Sequence, residues 1–200
     1  MTIVLLAEGR TEMALRGPLK DFLDVRAVVE GRPKLALRTK DIMTLNEGKL
    51  RARIRNELAT TEVTAVIGLI DVYPNFVSAA EAKDYLSRAA GEDARFHAHA
   101  AQHDVEAWLL PYWADICRRL GMRTRAAPDG QPERVNRVRP PSVRLVELYR
   151  LAQPPRKYTK PIELAAILKG KDLTIAAAQC AELEALLNTL LGLGGLQQLP

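Results

Sequence analysis

Cysteine is scarce, with only Cys117 and Cys180 among 200 residues. They lie far apart in segments that read as helical, which excludes the disulfide framework of a small secreted domain and makes both sulfurs core packing. Long apolar runs are missing too. No stretch approaches the roughly 18 residues of a membrane span. The first apolar run, Ile3 to Ala7, follows no basic stretch and is too short for a secretory signal. These absences predict a soluble, cytoplasmic protein that makes no membrane contact. Internal repeats and low-complexity tracts are also absent, and 48% hydrophobic content suffices for one domain with a full core.

Histidine is nearly as rare, and all three lie within seven residues: His97, His99 and His103. His97 and His99 alternate onto one face of a predicted strand, a spacing found in zinc sites. No cysteine is near, however, and the neighbouring strand ends offer carboxylates, which argues against zinc.

What the chain does have is acids at the ends of apolar runs. Ile3-Val4-Leu5-Leu6-Ala7 has strand length and character, and it stops at Glu8-Gly9-Arg10-Thr11-Glu12. Glu8 therefore stands at the carboxyl end of a buried strand, where open α/β sheets place ligands, with Glu12 about one turn into the next helix. The pattern recurs at Thr64 to Ile70, which ends in Asp71-Val72-Tyr73-Pro74, and Pro74 forbids a central strand from continuing. His103-Asp104-Val105-Glu106 adds acids at the start of an apolar helical segment. An acid in such a place is also an ordinary helix cap or solvated strand end. Its repetition at successive strand ends favours convergence of Glu8, Glu12, Asp71 and Glu106. An all-oxygen cluster of that kind suits Mg2+ or Mn2+.

Net charge is +5, unevenly spread. From Arg118 to Lys160 there are twelve Lys or Arg against only Asp129, Glu133 and Glu147, so the remainder leans acidic. An acidic site beside a basic segment suits a nucleic acid whose phosphates are held by Arg and Lys.

The remaining elements follow from periodicity and punctuation. A helix is predicted over Met13 to Leu23, kinked or split at Gly17-Pro18, then a short strand at Val25 to Val29 and an extended piece at Leu35 to Arg38. Asn46 caps a helix through Leu58 with Leu50, Ile54 and Leu58 inward, and Ser78 caps another through Ala90. Ala94 to Ala100 is a strand, and Asp104 to Leu120 an amphipathic helix whose Trp108 and Trp113 are core. Met122 to Pro141, rich in proline, is a loop or linker. Ser142 caps a helix to Leu151, another runs from Ile162 to Lys169, and a last one opens at Asp172 or Thr174 and runs through Leu191. The sum is an α/β fold with a mostly parallel sheet, divided as a core over 1–121, a loop or linker over 122–141 and a helical extension over 142–200 packed on the core.

Glu8-Gly9-Arg10-Thr11-Glu12 resembles the Glu-Gly-x-Thr/Ser-Glu signature of Toprim domains in the overcoming-lysogenization-defect (OLD) nucleases, and Asp71-Val72-Tyr73 falls where those carry Asp-x-Asp. Within that superfamily the chain is most similar to a bacterial domain-of-unknown-function family, often encoded beside ABC or SMC-like ATPases in phage-defence islands. The likeness extends through His103 to Ala107, Pro141-Ser142-Val143-Arg144-Leu145, the pair Tyr158 and Lys160, and the Cys180 segment. It implies a Toprim-like, Rossmann-like domain acting as a Mg2+- or Mn2+-dependent nuclease on DNA or RNA, the effector of an ATPase-linked defence system. Glu8, Glu12, Asp71 and Glu106 would hold metal, His103 would serve as base, and Arg10, Arg144 and Lys160 would contact phosphate. Tyr73 departs from the pattern, because a phenol titrating near 10 is no metal-bound anion at neutral pH. That departure leaves open an impaired Toprim-like module that regulates a partner ATPase. A phosphohydrolase of small substrates and a homo-oligomer also remain open.

Overall fold

The computed structural model describes residues 1–128, 131–134 and 139–200; Asp129 and Arg137 of the basic segment lie outside the described residues. Four strands, β1 (Thr2–Ala7), β2 (Ala36–Asp41), β3 (Val63–Asp71) and β4 (Phe96–Ala101), form one sheet in the order β2-β1-β3-β4, every pair parallel. β1 and β3 are the central pair. Their apolar residues are buried on both faces, as parallel sheets require.

Helices cover both faces. The first four are α1 (Arg10–Met13), α2 (Arg16–Val29), α3 (Glu47–Leu58) and α4 (Ala79–Ala90). A 3-10 helix, Val105–Tyr112, precedes α5 (Trp113–Arg119), α6 (Pro141–Arg150), α7 (Lys160–Leu168), α8 (Thr174–Ala177) and α9 (Ala181–Leu193). Strand alternation sorts the core into two. Val4, Leu6, Val66 and Ile70 pack with Leu50 and Ile54 of α3 and Ala82 and Leu86 of α4. Ile3, Leu5, Ile67 and Leu69 face the larger core, which α2, the 3-10 helix and α5 to α9 complete. No described helix is long and apolar enough to cross a membrane.

The capped helices form as expected: Asn46 Oδ1 accepts the Lys49 N–H at 3.1 Å and Ser78 Oγ accepts the Glu81 N–H at 3.2 Å. Trp108, Trp113, Cys117 and Cys180 are all buried.

Four expectations need correction. Val25 to Val29 is the end of α2 and not a strand, with Val25, Val28 and Val29 exposed. The helical period of Leu19, Phe22, Leu23 and Ala27 decides this. The break falls at Ala14 and Leu15, while Pro18 sits in the first turn of α2, where its missing N–H costs no hydrogen bond. The segment from Asp104 to Leu120 is not one amphipathic helix. Its first eight residues are a 3-10 helix containing Pro111, buried almost all round, so there is no solvent face. The last helix is likewise two, α8 and α9.

Candidate functional site

The site grows from sheet register. Ala7 pairs with Leu69, so Glu8 leaves β1 beside the last residues of β3. The Asp71 N–H donates to Glu8 Oε2 at 3.0 Å, and the Glu8 N–H donates to the Leu69 carbonyl at 3.1 Å. Asp71 follows Leu69 by two residues and so shares its face, turned toward the larger core. Its Oδ1 accepts the Val105 N–H at 3.1 Å, which ties the end of β3 to the start of the 3-10 helix.

Glu12 is buried in α1, and the backbone amides of Glu12 and Gly9 draw on its carboxylate. Gly9 matters to that arrangement, since a Cβ there would stand 3.0 Å from Glu12 Oε2. The Glu-Gly-x-Thr-Glu spacing thus folds the second glutamate back over the glycine.

β4 hands over to the 3-10 helix at His103, whose φ of +71° is left-handed. The turn aims the His103 carbonyl at the Tyr73 N–H, 2.7 Å away, and buries Asp104 and Glu106. Asp104 Oδ2 accepts the Ser142 N–H at 3.2 Å, so the first turn of α6 orients it. Ser142 was expected to cap that helix; Pro140 holds the cap position and Ser142 faces the acid. Glu106 is 0% exposed. Lys160 Nζ, at the first residue of α7, pairs with Glu106 Oε1 at 3.2 Å, while Glu106 Oε2 and Asp104 Oδ1 lack a hydrogen bond among the described residues.

Electrostatics shows how tightly the acids are grouped. Burial raises Asp71 well above the ordinary carboxylate range, and Glu12, Asp104, Glu106 and Glu8 each push it further. Glu106 is pushed up to about 7 by burial and then Asp104, against the pull of Lys160. Glu8, Glu12 and Asp104 are raised by burial first, with hydrogen bonds opposing: from Asp71 to Glu8, from backbone amides to Glu12, and from Ser142 to Asp104. Burial pulls the Lys160 ammonium down, yet Glu106, Asp104 and Asp71 outweigh it and leave it raised. His103 is buried and close enough to draw Asp104 down.

Glu8, Glu12, Asp71 and Glu106 therefore come together with His103 and Lys160. Asp104 is the acid that sequence reasoning passed over. The signal was its place inside His103 to Ala107, between two residues already singled out. Arg10 is exposed at the start of α1. Arg144 turns away from the acids, its Nε donating to the Arg139 carbonyl at 3.4 Å, and lines a groove with Trp113 and Arg125. Tyr73 is 44% exposed. His97 and His99 lie apart from the acids. His99 Nε2 contacts Thr189 Oγ1 of α9 at 3.0 Å, and burial, with Lys83 and His97, pushes His99 down to about 4.

The donor set suits a hard cation: every acid is an oxygen donor, Glu106 Oε2 and Asp104 Oδ1 lack a hydrogen bond among the described residues, and neighbouring carboxylates raise the pKa of Asp71. Among the described residues no three acidic, histidine or cysteine side chains already stand at ion-binding spacing. The cluster matches such an ion in chemistry and not yet in spacing.

A parallel sheet flanked by helices, with acids gathered at its carboxyl edge, defines an α/β protein of Rossmann-like architecture. Over residues 7–191 the sequence matches the family described as Domain of unknown function (DUF4276), and the chain belongs to that family. Among solved structures it is similar to the C-terminal region of the Burkholderia pseudomallei OLD protein, with a TM-score of 0.50 and 13% identity over 94% of this chain and 98% of that one. At that identity the likeness concerns the fold alone. No curated protein matches the chain.

Proposed function

We propose that this chain is a metal-dependent nuclease of Toprim type that hydrolyses phosphodiester bonds in DNA or RNA, working with an ABC or SMC-like ATPase in defence against phage. One observation carries the reading: Glu8, Glu12, Asp71, Asp104 and Glu106 crowd one sheet edge at raised pKa, and Glu106 Oε2 and Asp104 Oδ1 are buried without a hydrogen bond among the described residues. Glu8, Glu12, Asp71 and Glu106 would hold Mg2+ or Mn2+, which when bound supplies Lewis acidity to the attacking water and the leaving oxygen.

The chain's own groups do the rest. Ser142 fixes Asp104, and His103, near enough to draw Asp104 down, would serve as the base beside it. The Lys160 ammonium offsets charge that develops on phosphate. Lys160 also pairs with Glu106 Oε1 and partly neutralises it.

A second reading has its own support. Asp71 Oδ1 and Glu8 Oε2 already accept backbone amides, a structural use of carboxylates, and Tyr73 supplies no second aspartate. That suits an impaired module that docks on a partner ATPase.

The test is calorimetric titration of Mg2+ and Mn2+ into wild type, Glu8→Gln and Asp71→Asn, followed by incubation with supercoiled DNA and structured RNA. The nuclease reading expects binding and cleavage in wild type and a loss of both, at least tenfold, in each variant. No metal binding by the wild type would overturn it and leave the docking module.

A further inference from the structure

We propose that the groove between α5 and the end of α7 is a phosphate-binding subsite that holds the backbone of the nucleic acid engaged at the acidic site. Its choice of polyanion rests on the nuclease reading; its capture of phosphate does not. The groove encloses about 320 Å3 and is walled by Arg118 and Arg119 of α5 and by Lys169 and Lys171 just beyond α7. Ile116 and Ile167 form an apolar floor, and Asp115 is the single acid that lines it.

Asp115 explains why the cations are held in place. It accepts Arg118 Nη1 at 2.6 Å and also bonds Lys171 Nζ, so one carboxylate bridges the two sides of the groove. Lys171 is steadied further by the Tyr112 ring, 5.9 Å from its ammonium. Arg119 leans toward Glu163 at 3.4 Å, whose other role is to accept the Tyr149 hydroxyl at 2.7 Å. Lys169 makes no ion pair among the described residues. Helix C-termini attract cations, and α5 and α7 both end here. That effect accounts for a cation at each end. It does not account for four converging on one concavity, where Asp115 in the lining and Glu163 beside Arg119 offset only two of the four charges.

Lys160 opens α7 beside the acids and Lys169 caps its other end, so the helix spans about 13 Å from one site to the other at 1.5 Å per residue. That separation equals the rise of about four base pairs along a duplex axis, at 3.4 Å each. The groove would then grip phosphates upstream or downstream of the one being cleaved.

Fluorescence anisotropy of a short labelled DNA duplex and an RNA hairpin, in EDTA so that no cleavage occurs, tests this. Arg118→Glu/Lys169→Glu should weaken binding about tenfold or more and flatten the salt dependence by about two units of log-log slope, one per lost phosphate contact. Its melting temperature should fall by only a few degrees, because both side chains are exposed and the Arg118–Asp115 pair it breaks lies at the surface. Arg118→Lys/Lys169→Arg should bind as wild type does. Unchanged affinity and slope in the charge reversal would overturn the proposal. Titration with inorganic phosphate separates the sources: phosphate that perturbs the Lys169 and Lys171 amides in a protein that binds neither nucleic acid would overturn the polyanion assignment. Duplex binding that needs the groove, in a protein that cleaves nothing with metal, would support the groove and remove the nuclease reading.

Discussion

Glu106 is the residue on which the electrostatics of the site turns. Unfolded, its carboxyl releases a proton near the ordinary 4.5; folded, it keeps the proton to about 7. Between those values the native state binds more protons than the unfolded chain, so this group makes the fold less stable as pH climbs, and its full cost is present above 7. At 1.36 kcal/mol per unit the cost is about 3 kcal/mol. His99 works in the opposite sense over nearly the same window, since it stays neutral in the fold down to about 4 while an unfolded histidine protonates near 6.5. The two trends offset each other in a wild-type curve, so the difference between proteins is the clean readout. Glu106→Gln should exceed wild type in urea unfolding free energy by up to about 3 kcal/mol at pH 8 in metal-free buffer, and by nothing below pH 4. An equal gain at both values would mean that the charge on Glu106 is not what burial penalises. The acids at strand ends were legible because a β-branched run stopped by a carboxylate is a local pattern. Asp104 was not, because its burial depends on Ser142, thirty-eight residues away.

Secondary structure was easiest to read where a cap or a strong period stated it. Asn46 and Ser78 fixed the starts of α3 and α4, and β1 and β3 announced themselves as continuous apolar runs. β2 showed only in part, as the extended piece at Leu35 to Arg38, because it is an edge strand, Ala-Leu-Arg-Thr-Lys-Asp, in which only Leu37 is fully buried. Val25 to Val29 misled for the converse reason: valines favour strands, but here they finish a helix whose inward residues had already set its period. One glycine shows how closely the elements meet. A Cβ on Gly68 of β3 would stand 2.8 Å from Phe96 Cζ and 3.2 Å from Leu86 Cδ1 of α4. Gly68→Ala should therefore cost about 1 to 3 kcal/mol by overpacking. Adding Phe96→Ala should return part of that loss in a double-mutant cycle, and strict additivity of the two changes would show that the ring is not the obstacle.

At the scale of the whole molecule, the helices beyond residue 141 pack on the sheet through the larger core. Ile3, Leu5 and Leu69 of the sheet share it with Leu183, Leu187 and Leu190 of α9, while α6 and α7 supply Ser142 and Lys160 to the acidic site. The C-terminal helices thus complete both the packing and the chemistry of the first half of the chain. Local patterns in the sequence revealed each helix but not this dependence, since no periodicity says which sheet face a distant helix covers. Removing residues 181–200 would strip six buried leucines, Leu183, Leu186, Leu187, Leu190, Leu191 and Leu196. At about 1.5 to 3 kcal/mol each, the loss is about 9 to 18 kcal/mol, the size of a whole domain's stability. The truncated chain should show no cooperative thermal transition and should bind a hydrophobic dye such as ANS at room temperature. A sharp melt in that chain, with the acids still binding metal, would establish the first 180 residues as a unit that folds by itself. The expected outcome, loss of both together, would mean that the acid cluster exists only while α9 holds the sheet face closed beneath it.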